Sequence, residues 1–273
     1  ADGEIWCSQM TSYEQNADFF TFGVTTDRQV VIGKPKIQTT IKNVTKGTSY
    51  TATGINRAPA NNTLTVFNNR LNDSNYVNTD AYEVVLQTSD NRIMNGGTLT
   101  GTVKAIYTAG TTSRGKLDSN TVVITARGSK ISTISGKFAV GNTVTISTSI
   151  YDSYGNNDKW AKVDEAIGGQ CLVMKNGSIN NDLSGGSSDN YPTNIIGYKS
   201  DKTIMMSMVT ADTNGVRKGL VFNSNIDTFC KAVGYDTCLL LDGGGSTTMI
   251  TLEDGNYVER ACYSDGAIRA TWN

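Results

Sequence analysis

The sequence predicts an α+β fold in a single β-rich domain with a few helices, and three observations carry that expectation. The 273 residues contain 28 Gly but only 3 Pro, with a visible excess of Thr, Ser and Asn, a composition that favours short strands joined by turns. Alternating or β-branched runs recur along the whole chain. Only one stretch reads clearly as an amphipathic helix.

In chain order the expected strands are QVVIG (29–33), TLTVF (63–67), YEVVLQ (82–87), VKAIY (103–107), TVVITA (121–126), NTVTIST (142–148), QCLVMK (170–175), TIMMSMV (203–209), TCLLL (237–241) and TTMITL (247–252). Gly- or Asn-rich turns separate most of them. The helix is NSNIDTFCKAVG, in which Ser224 can cap, Ile226, Phe229, Cys230 and Val233 share one face, and Gly234 can supply a left-handed stop. No fixed-period repeat or proline-rich linker divides the chain, so one domain over 1–273 is expected. Because the helix feeds directly into the apolar run TCLLL, that strand is expected to be buried on both faces, with a pocket beyond its carboxyl end at Asp242.

Composition also narrows the function. With 24 Lys+Arg against 25 Asp+Glu, the net charge is −1, so no global field draws in duplex nucleic acid or an anionic membrane, and a small-molecule or glycan partner is expected. No run approaches the ~20 apolar residues of a membrane span. An extracellular, cell-surface or virion-associated setting is favoured. Histidine is absent, which removes Ser-His-Asp and Cys-His nucleophile systems and the H-E-x-x-H zinc site. Carboxylates, Arg, Lys, Tyr or a metal must then carry any proton work. The five cysteines, Cys7, Cys171, Cys230, Cys238 and Cys262, form no C-x-x-C pair and are read as buried free thiols in preference to a disulfide framework. No cofactor is required; Ca²⁺ or Mg²⁺ can be held by carboxylates, but no ligand spacing singles out a site.

One stretch concentrates unusual chemistry. In LLLDGGGSTTMITL (239–252) an apolar run ends at Asp242, and three glycines and several hydroxyls follow before the chain turns apolar again. Gly243, Gly244 and Gly245 allow close backbone approach, so their N–H groups, with Ser246, Thr247 and Thr248, can form a nest for an anion. The competing reading is a plain hairpin turn between strands 237–241 and 247–252. Walker, dinucleotide-binding and G-x-S-x-G patterns all fail here.

This stretch resembles the signature of the phosphodiester glycosidase family, approximately N-L-D-G-G-G-S-S-T-M, at Asp242, Gly243, Gly244, Gly245, Ser246, Thr248 and Met249. Further family-like segments occur in the right order: QNADFF (15–20), GINRA (54–58), AIGGQCLVMKNG (166–177) and YSDGAIR (263–269), so the resemblance runs from about Asn16 to Arg269. It implies mixed, curved sheets and hydrolysis of a glycosyl-1-phosphodiester in a glycan, cell-wall polymer or nucleotide sugar. Two departures stand out: PTNIIG (192–197) lacks an arginine, and VTAD (209–212) an aspartate and an arginine, that the family pattern carries, so that either the substrate carries less negative charge, or residues such as Arg217 or Lys218 compensate, or the catalytic step is lost and binding remains.

Cleaving such a bond needs stabilisation of an oxocarbenium-like centre, donors for the departing phosphate and a base for water. Asp242 is the leading candidate for base or electrostatic stabiliser, against the alternative that its carboxylate only holds the loop. Asp18 and Asp265 are candidates for a second carboxylate, each with a turn role as the alternative. Arg57 and Arg269 suit bidentate phosphate binding, and Asn16 and Asn56 suit sugar hydroxyls. If the loop works this way, Asp242 and the following N–H groups should line a concave pocket with Arg57 and Arg269 within reach. A non-catalytic binder of a phosphorylated sugar or nucleotide, such as a phage or bacterial surface or tail protein, is the alternative that the missing arginines favour.

Overall fold

A computed structural model of the chain describes residues 20–56, 60–69, 80–110, 117–152, 155–180, 192–209, 211–213, 216–218, 225–244 and 247–261. Within these residues the protein is β-rich, with mixed, curved sheets and three short helices. The chain divides into two compact units. The first takes mainly 35–166, and the second takes 19–24, 28–34 and 167–273.

The first unit is built on an eight-stranded sheet. Its strands are β3 (Pro35–Asn43), β4 (Thr48–Ala52), β5 (Gly54–Ile55), β6 (Leu64–Phe67), β7 (Tyr82–Thr88), β8 (Thr98–Tyr107), β9 (Thr121–Ala126) and β10 (Thr143–Asp152), in the spatial order β4-β3-β10-β8-β7-β9-β6-β5. The two ends of that order are one piece of chain, because only Thr53 separates β4 from β5. Thr53 N–H donates to Leu64 O at 2.7 Å and Asn56 N–H to Val66 O at 2.8 Å, so the sheet nearly closes into a barrel. Closure removes the unpaired strand edges that would otherwise need protection.

Alternation places Leu64 and Val66, Tyr82, Val84 and Leu86, Val122, Ile124 and Ala126, and Val144 and Ile146 in one core cluster. The period of two is the physical reason that the alternating runs of the sequence become these walls. Strand β9 is buried at every position because Val123 on its other face packs with Phe67 and Leu117. Helix α1 (Lys130–Ile134) contributes Ile134 to the main core, as does Phe138 after it. Beside them buried Asn43 donates to Lys137 O at 3.0 Å and Asn142 Oδ1 at 2.9 Å. Helix α2 (Asn157–Trp160) buries Trp160, whose indole N–H donates to Asp152 Oδ2 at 2.9 Å.

The second unit is layered. A five-stranded sheet runs in the order β13 (Ser178–Ile179), β12 (Cys171–Lys175), β18 (Thr237–Leu240), β14 (Thr193–Tyr198), β15 (Ile204–Val209). On one face, helix α3 (Ile226–Val233) packs Ile226 and Cys230 against Cys171, Val173, Cys238 and Leu240. On the other, Leu172, Ile196, Leu239 and Leu241 meet Phe20, Phe22 and Val30 from β1 (Phe20–Thr25) and β2 (Val30–Gly33). Those two strands pair antiparallel with each other, and β1 is also hydrogen-bonded to β11 (Val163–Gly169) in a three-stranded sheet. Two hairpins complete the described residues, β16 (Ala211–Thr213) with β17 (Val216–Lys218) and β19 (Thr248–Glu253) with β20 (Asn256–Ala261).

All ten expected runs form strands and the expected helix forms. Its stop is as anticipated, with Gly234 left-handed at φ +91°. The residue before the helix is Asn225, which makes no side-chain capping bond, and Ser224 lies outside the described residues. One inference needs correction. β18 is buried on both faces, but it pairs antiparallel with β12 and β14, so the rule that places pockets at the carboxyl ends of parallel strands does not apply to it. Of the five cysteines, Cys171, Cys230 and Cys238 are free and buried, and Cys7 and Cys262 lie outside the described residues.

Candidate functional site

The central strand β18 delivers Asp242 to the surface. Four consecutive residues, Cys238 to Leu241, are buried, and Asp242 directly after them is exposed. The carboxylate is not loose there: Oδ1 accepts the N–H of Gly243 at 2.9 Å and the side-chain amide of Gln170 at 3.4 Å. One carboxylate oxygen is thus held by donors from two segments.

The glycines have identifiable causes. A Cβ on Gly243 would lie 2.7 Å from Pro192 O, too close for any side chain, while Gly244 is left-handed at φ +57° with open space around it. Gly244 N–H donates to Pro192 O at 2.8 Å and Thr247 N–H to Gly244 O at 3.2 Å. The N–H groups of Gly243 and Gly244 therefore already bond within the protein, so an anion nest at this loop has fewer donors to offer than the three glycines imply. Thr247 is fully buried, and its hydroxyl has no hydrogen-bond partner among the described residues. Thr248 opens β19 opposite Ala261.

The loop is not a hairpin connection. Strand β18 pairs with β12 and β14, whereas β19 pairs with β20 in a separate sheet, so 242–247 passes from one sheet to another. Around it three segments distant in sequence meet. Gln170 N–H donates to Leu240 O at 2.7 Å, Leu241 N–H to Asn194 O at 2.9 Å, and Pro192 receives the Gly244 bond. AIGGQ, PTNIIG and LLLDGGG are thereby brought to one end of β18. Gln170, which local sequence reading passed over, touches Asp242; nothing in its own neighbourhood distinguishes it from an ordinary strand-start residue.

At the first departure from the family pattern, Thr193 is buried in β14 opposite Val209 of β15. At the second, Asp212 on β16 is the register partner of Arg217 on β17, with Lys218 opposite Ala211.

Beneath the loop the sheet is apolar and rich in thiols. Burial, reinforced by nearby Cys230, pushes the Cys171 thiol up to about 12. Cys238 is raised by its hydrogen bond to Cys230 and by burial. Burial also pushes Tyr235 up to about 12, although its bond to the Ser207 hydroxyl at 2.8 Å works in the opposite direction. These groups are neutral and inert at ordinary pH, which makes them core and not nucleophiles.

In the barrel unit, Asn56 is left-handed at φ +51° and forms a reciprocal pair with Asn68: its Nδ2 donates to Asn68 Oδ1 at 2.6 Å, and Asn68 N–H donates to its Oδ1 at 2.9 Å. A separate cleft of about 370 Å³ near the β7–β8 turn is lined by Ser89, Asp90, Arg92, Met94 and Thr98, and contains none of the sequence-predicted residues. Asn16, Asp18, Arg57, Gly245, Ser246, Asp265 and Arg269 lie outside the described residues. Among the described residues no group of three or more Cys, Asp or Glu is arranged to hold a metal ion, and no helix is long and apolar enough to cross a membrane.

Known structures share this fold. A hypothetical protein from Synechocystis superposes with a TM-score of 0.67 at 18% identity, covering 89% of this chain and 43% of its own. A protein from Burkholderia pseudomallei gives 0.58 at 13% identity, covering 88% and 54%. The chain thus spans about half the length of these two structures. No curated protein matches the sequence. Residues 95–272 match the family described as phosphodiester glycosidase, a stretch that includes the Asp242 loop and the two segments that meet it but not QNADFF or GINRA. With well over half of its length so matched, the chain belongs to the phosphodiester glycosidase family.

Proposed function

We propose that the protein hydrolyses a glycosyl-1-phosphodiester bond in a glycan, cell-wall polymer or nucleotide sugar, with Asp242 as the base or electrostatic stabiliser. The observation that carries this reading is the meeting of three family-like segments at the end of β18, with Asp242 exposed and one of its oxygens held by Gly243 and Gln170. In the proposed step, water adds to the anomeric carbon as the bond from that carbon to the phosphate oxygen breaks. The electron pair leaves with the phosphomonoester, and Asp242 accepts the water's proton or balances the developing positive charge. Phosphate is a good leaving group, so strong acid assistance is unnecessary and a site without histidine suffices.

Because the Gly243, Gly244 and Thr247 N–H groups are engaged and Thr247 is fully buried, we assign the phosphate to the remaining candidates: Gly245, Ser246, Thr248 and the guanidinium groups of Arg57 and Arg269. Asp18 and Asp265 remain the candidates for a second carboxylate, and Asn16 and Asn56 for sugar hydroxyls. The test is a panel of UDP-sugars and sugar-1-phosphodiesters. Release of free sugar that disappears in Asp242→Asn, with the fold retained, supports the reading, whereas full activity in that variant removes Asp242 from the mechanism.

A second reading is a non-catalytic binder of a phosphorylated sugar or nucleotide. A buried threonine, Thr193, in place of an arginine favours it. Calorimetric binding with the ligand recovered unchanged would select this reading, and any turnover would exclude it.

A further inference from the structure

The cleft of about 370 Å³ in the barrel unit lies between two walls of the β7–β8 hairpin. One wall is the start of β8 at Thr98, Leu99 and Thr100, and the other is the connecting segment with Ser89, Asp90, Arg92 and Met94. The walls part because β7 pairs with β8 only as far as Thr88, opposite Gly101, whereas β8 begins at Thr98.

The connecting segment is tied back from β8. Asn91, 2% exposed, donates to Asp118 O at 2.6 Å and Asn69 Oδ1 at 2.8 Å, its C=O accepts Asn68 Nδ2 at 3.0 Å, and Ile93 joins the barrel core. Met94 O accepts the Gly97 N–H at 3.0 Å and the Thr148 hydroxyl at 2.6 Å. Both walls are therefore fixed before a ligand arrives, which lowers the ordering cost of binding.

Main-chain groups face into the space between them. Val103 N–H donates to Asn142 O, Gly141 N–H to Val103 O and Thr148 N–H to Gly97 O, so the odd-numbered residues from Gly97 to Val103 direct their backbone groups to β10. The even-numbered ones point the other way. Thr102 meets Gln87 of β7, but the N–H and C=O of Thr98 and the N–H of Thr100 have no partner among the described residues.

The lining selects the ligand. Asp90 holds Arg92 through its backbone N–H at 3.0 Å and its Nε at 2.6 Å, so one negative and one positive group offset each other and neither an anion nor a cation is favoured. Exposed Ser89, Thr98 and Thr100 add hydroxyls, and half-buried Met94 and Leu99 add apolar surface. A neutral molecule with several hydroxyls and an apolar C–H face matches that mixture, which describes a sugar ring. An extended peptide does not, because Ser89 stands beside the last β7 pair and leaves only the Thr98 position open, too short an edge for strand addition.

We infer that this cleft binds a neutral sugar unit, with the Thr98 and Thr100 N–H groups donating to ring hydroxyls and the Thr98 C=O accepting from one. It is built from none of the residues assigned to hydrolysis.

The test titrates maltotriose, cellotriose and tri-N-acetylchitotriose into the full ¹⁵N-labelled chain and follows the backbone amides of Thr98 and Thr100. Saturable shifts of both by at least one sugar are expected, with a Kd on the order of 1 mM. Thr100→Tyr, which fills the cleft from an exposed position with a residue suited to strands, is expected to weaken that sugar about tenfold or more, read at the Thr98 amide. Should it fail to fold, Thr98→Pro takes its place and is read at Thr100: it deletes an N–H that bonds nothing in the protein, at the first residue of a strand, where proline is tolerated.

Unmoved Thr98 and Thr100 amides with all three sugars at about 20 mM overturn the inference, as does binding that is undiminished when the cleft is filled. Inorganic phosphate, or the capped tripeptide acetyl-Thr-Val-Thr-amide, moving these amides where the sugars do not would make the cleft an anion or strand-addition site and overturn it likewise. No readout involves turnover, so the hydrolase reading stands or falls separately.

Discussion

The barrel unit and the layered unit handle their sheet edges in opposite ways. In the barrel, β4 runs on into β5, which pairs with β6 at the far end of the sheet, so the two ends of the order meet in one piece of chain, and polar residues are tied into buried asparagine pairs such as Asn43 with Asn142 and Asn68 with Asn91. In the layered unit β13 and β15 are the edges of the sheet among the described residues, Ile204 and Met206 of β15 are exposed, and the central strand ends in an exposed carboxylate. The difference locates flexibility of design: a closed sheet spends its polar groups on itself, whereas an open one leaves a strand end free to carry chemistry.

The largest expected break in this comparison is Gly197→Val. A Cβ there would lie 2.3 Å from Thr237 O and 2.5 Å from Cys238 Cβ, so β14 must separate from β18. We expect about 3 kcal/mol or more of destabilisation by chemical denaturation, with the barrel's urea transition retained. A loss below about 1 kcal/mol would mean that the layered unit tolerates strand separation and that its packing does not fix the Asp242 loop.

Next is Asp242→Asn. Asparagine keeps an oxygen for Gly243 and Gln170 while removing the charge, so kcat should fall about 10²-fold to 10³-fold with stability changed by less than about 0.5 kcal/mol. Steady-state kinetics alongside thermal melts check this. A stability loss matching the activity loss would reassign the residue to holding the loop.

The thiol-rich layer predicts an alkaline weakness. Folding raises Cys171 from 9.0 to about 12 and Tyr235 from 10.0 to about 12, both chiefly through burial. The unfolded chain therefore loses these protons first as pH rises. Their contribution to stability is complete below about pH 9 and disappears on approach to about pH 12. Urea midpoints should fall across that window, and Tyr235→Phe should flatten part of the fall; a constant midpoint would contradict the buried, neutral thiols.

The smallest expected effect is Leu252→Ser on the β19–β20 hairpin, where Leu252 is 65% exposed. A change within about 0.5 kcal/mol is expected in thermal melts. A larger loss would show that the hairpin is covered in solution.

Much of this architecture was legible because it is encoded locally. A run such as TVVITA or TCLLL states its own extension and burial, and Gly234 states the end of a helix, through propensities and dihedral preferences that act within a few residues. The DGGGSTT motif likewise marked Asp242 before any contact was known. Strand β3 escaped because its apolar residues Ile37 and Ile41 are four apart and suggest no alternation, and β14 because Asn194 and Gly197 interrupt it. Asn68, in the tract FNNR, is locally indistinguishable from a turn asparagine. The sequence by itself determined the elements and singled out the glycine loop that carries Asp242. Only the tertiary structure decided that β5 closes the barrel, that the glycine loop joins two sheets instead of turning a hairpin, and that Gln170 and Asn68 reach Asp242 and Asn56. The physical reason is that pairing partners are chosen by the burial and hydrogen bonding of the whole chain, over separations that no local pattern records.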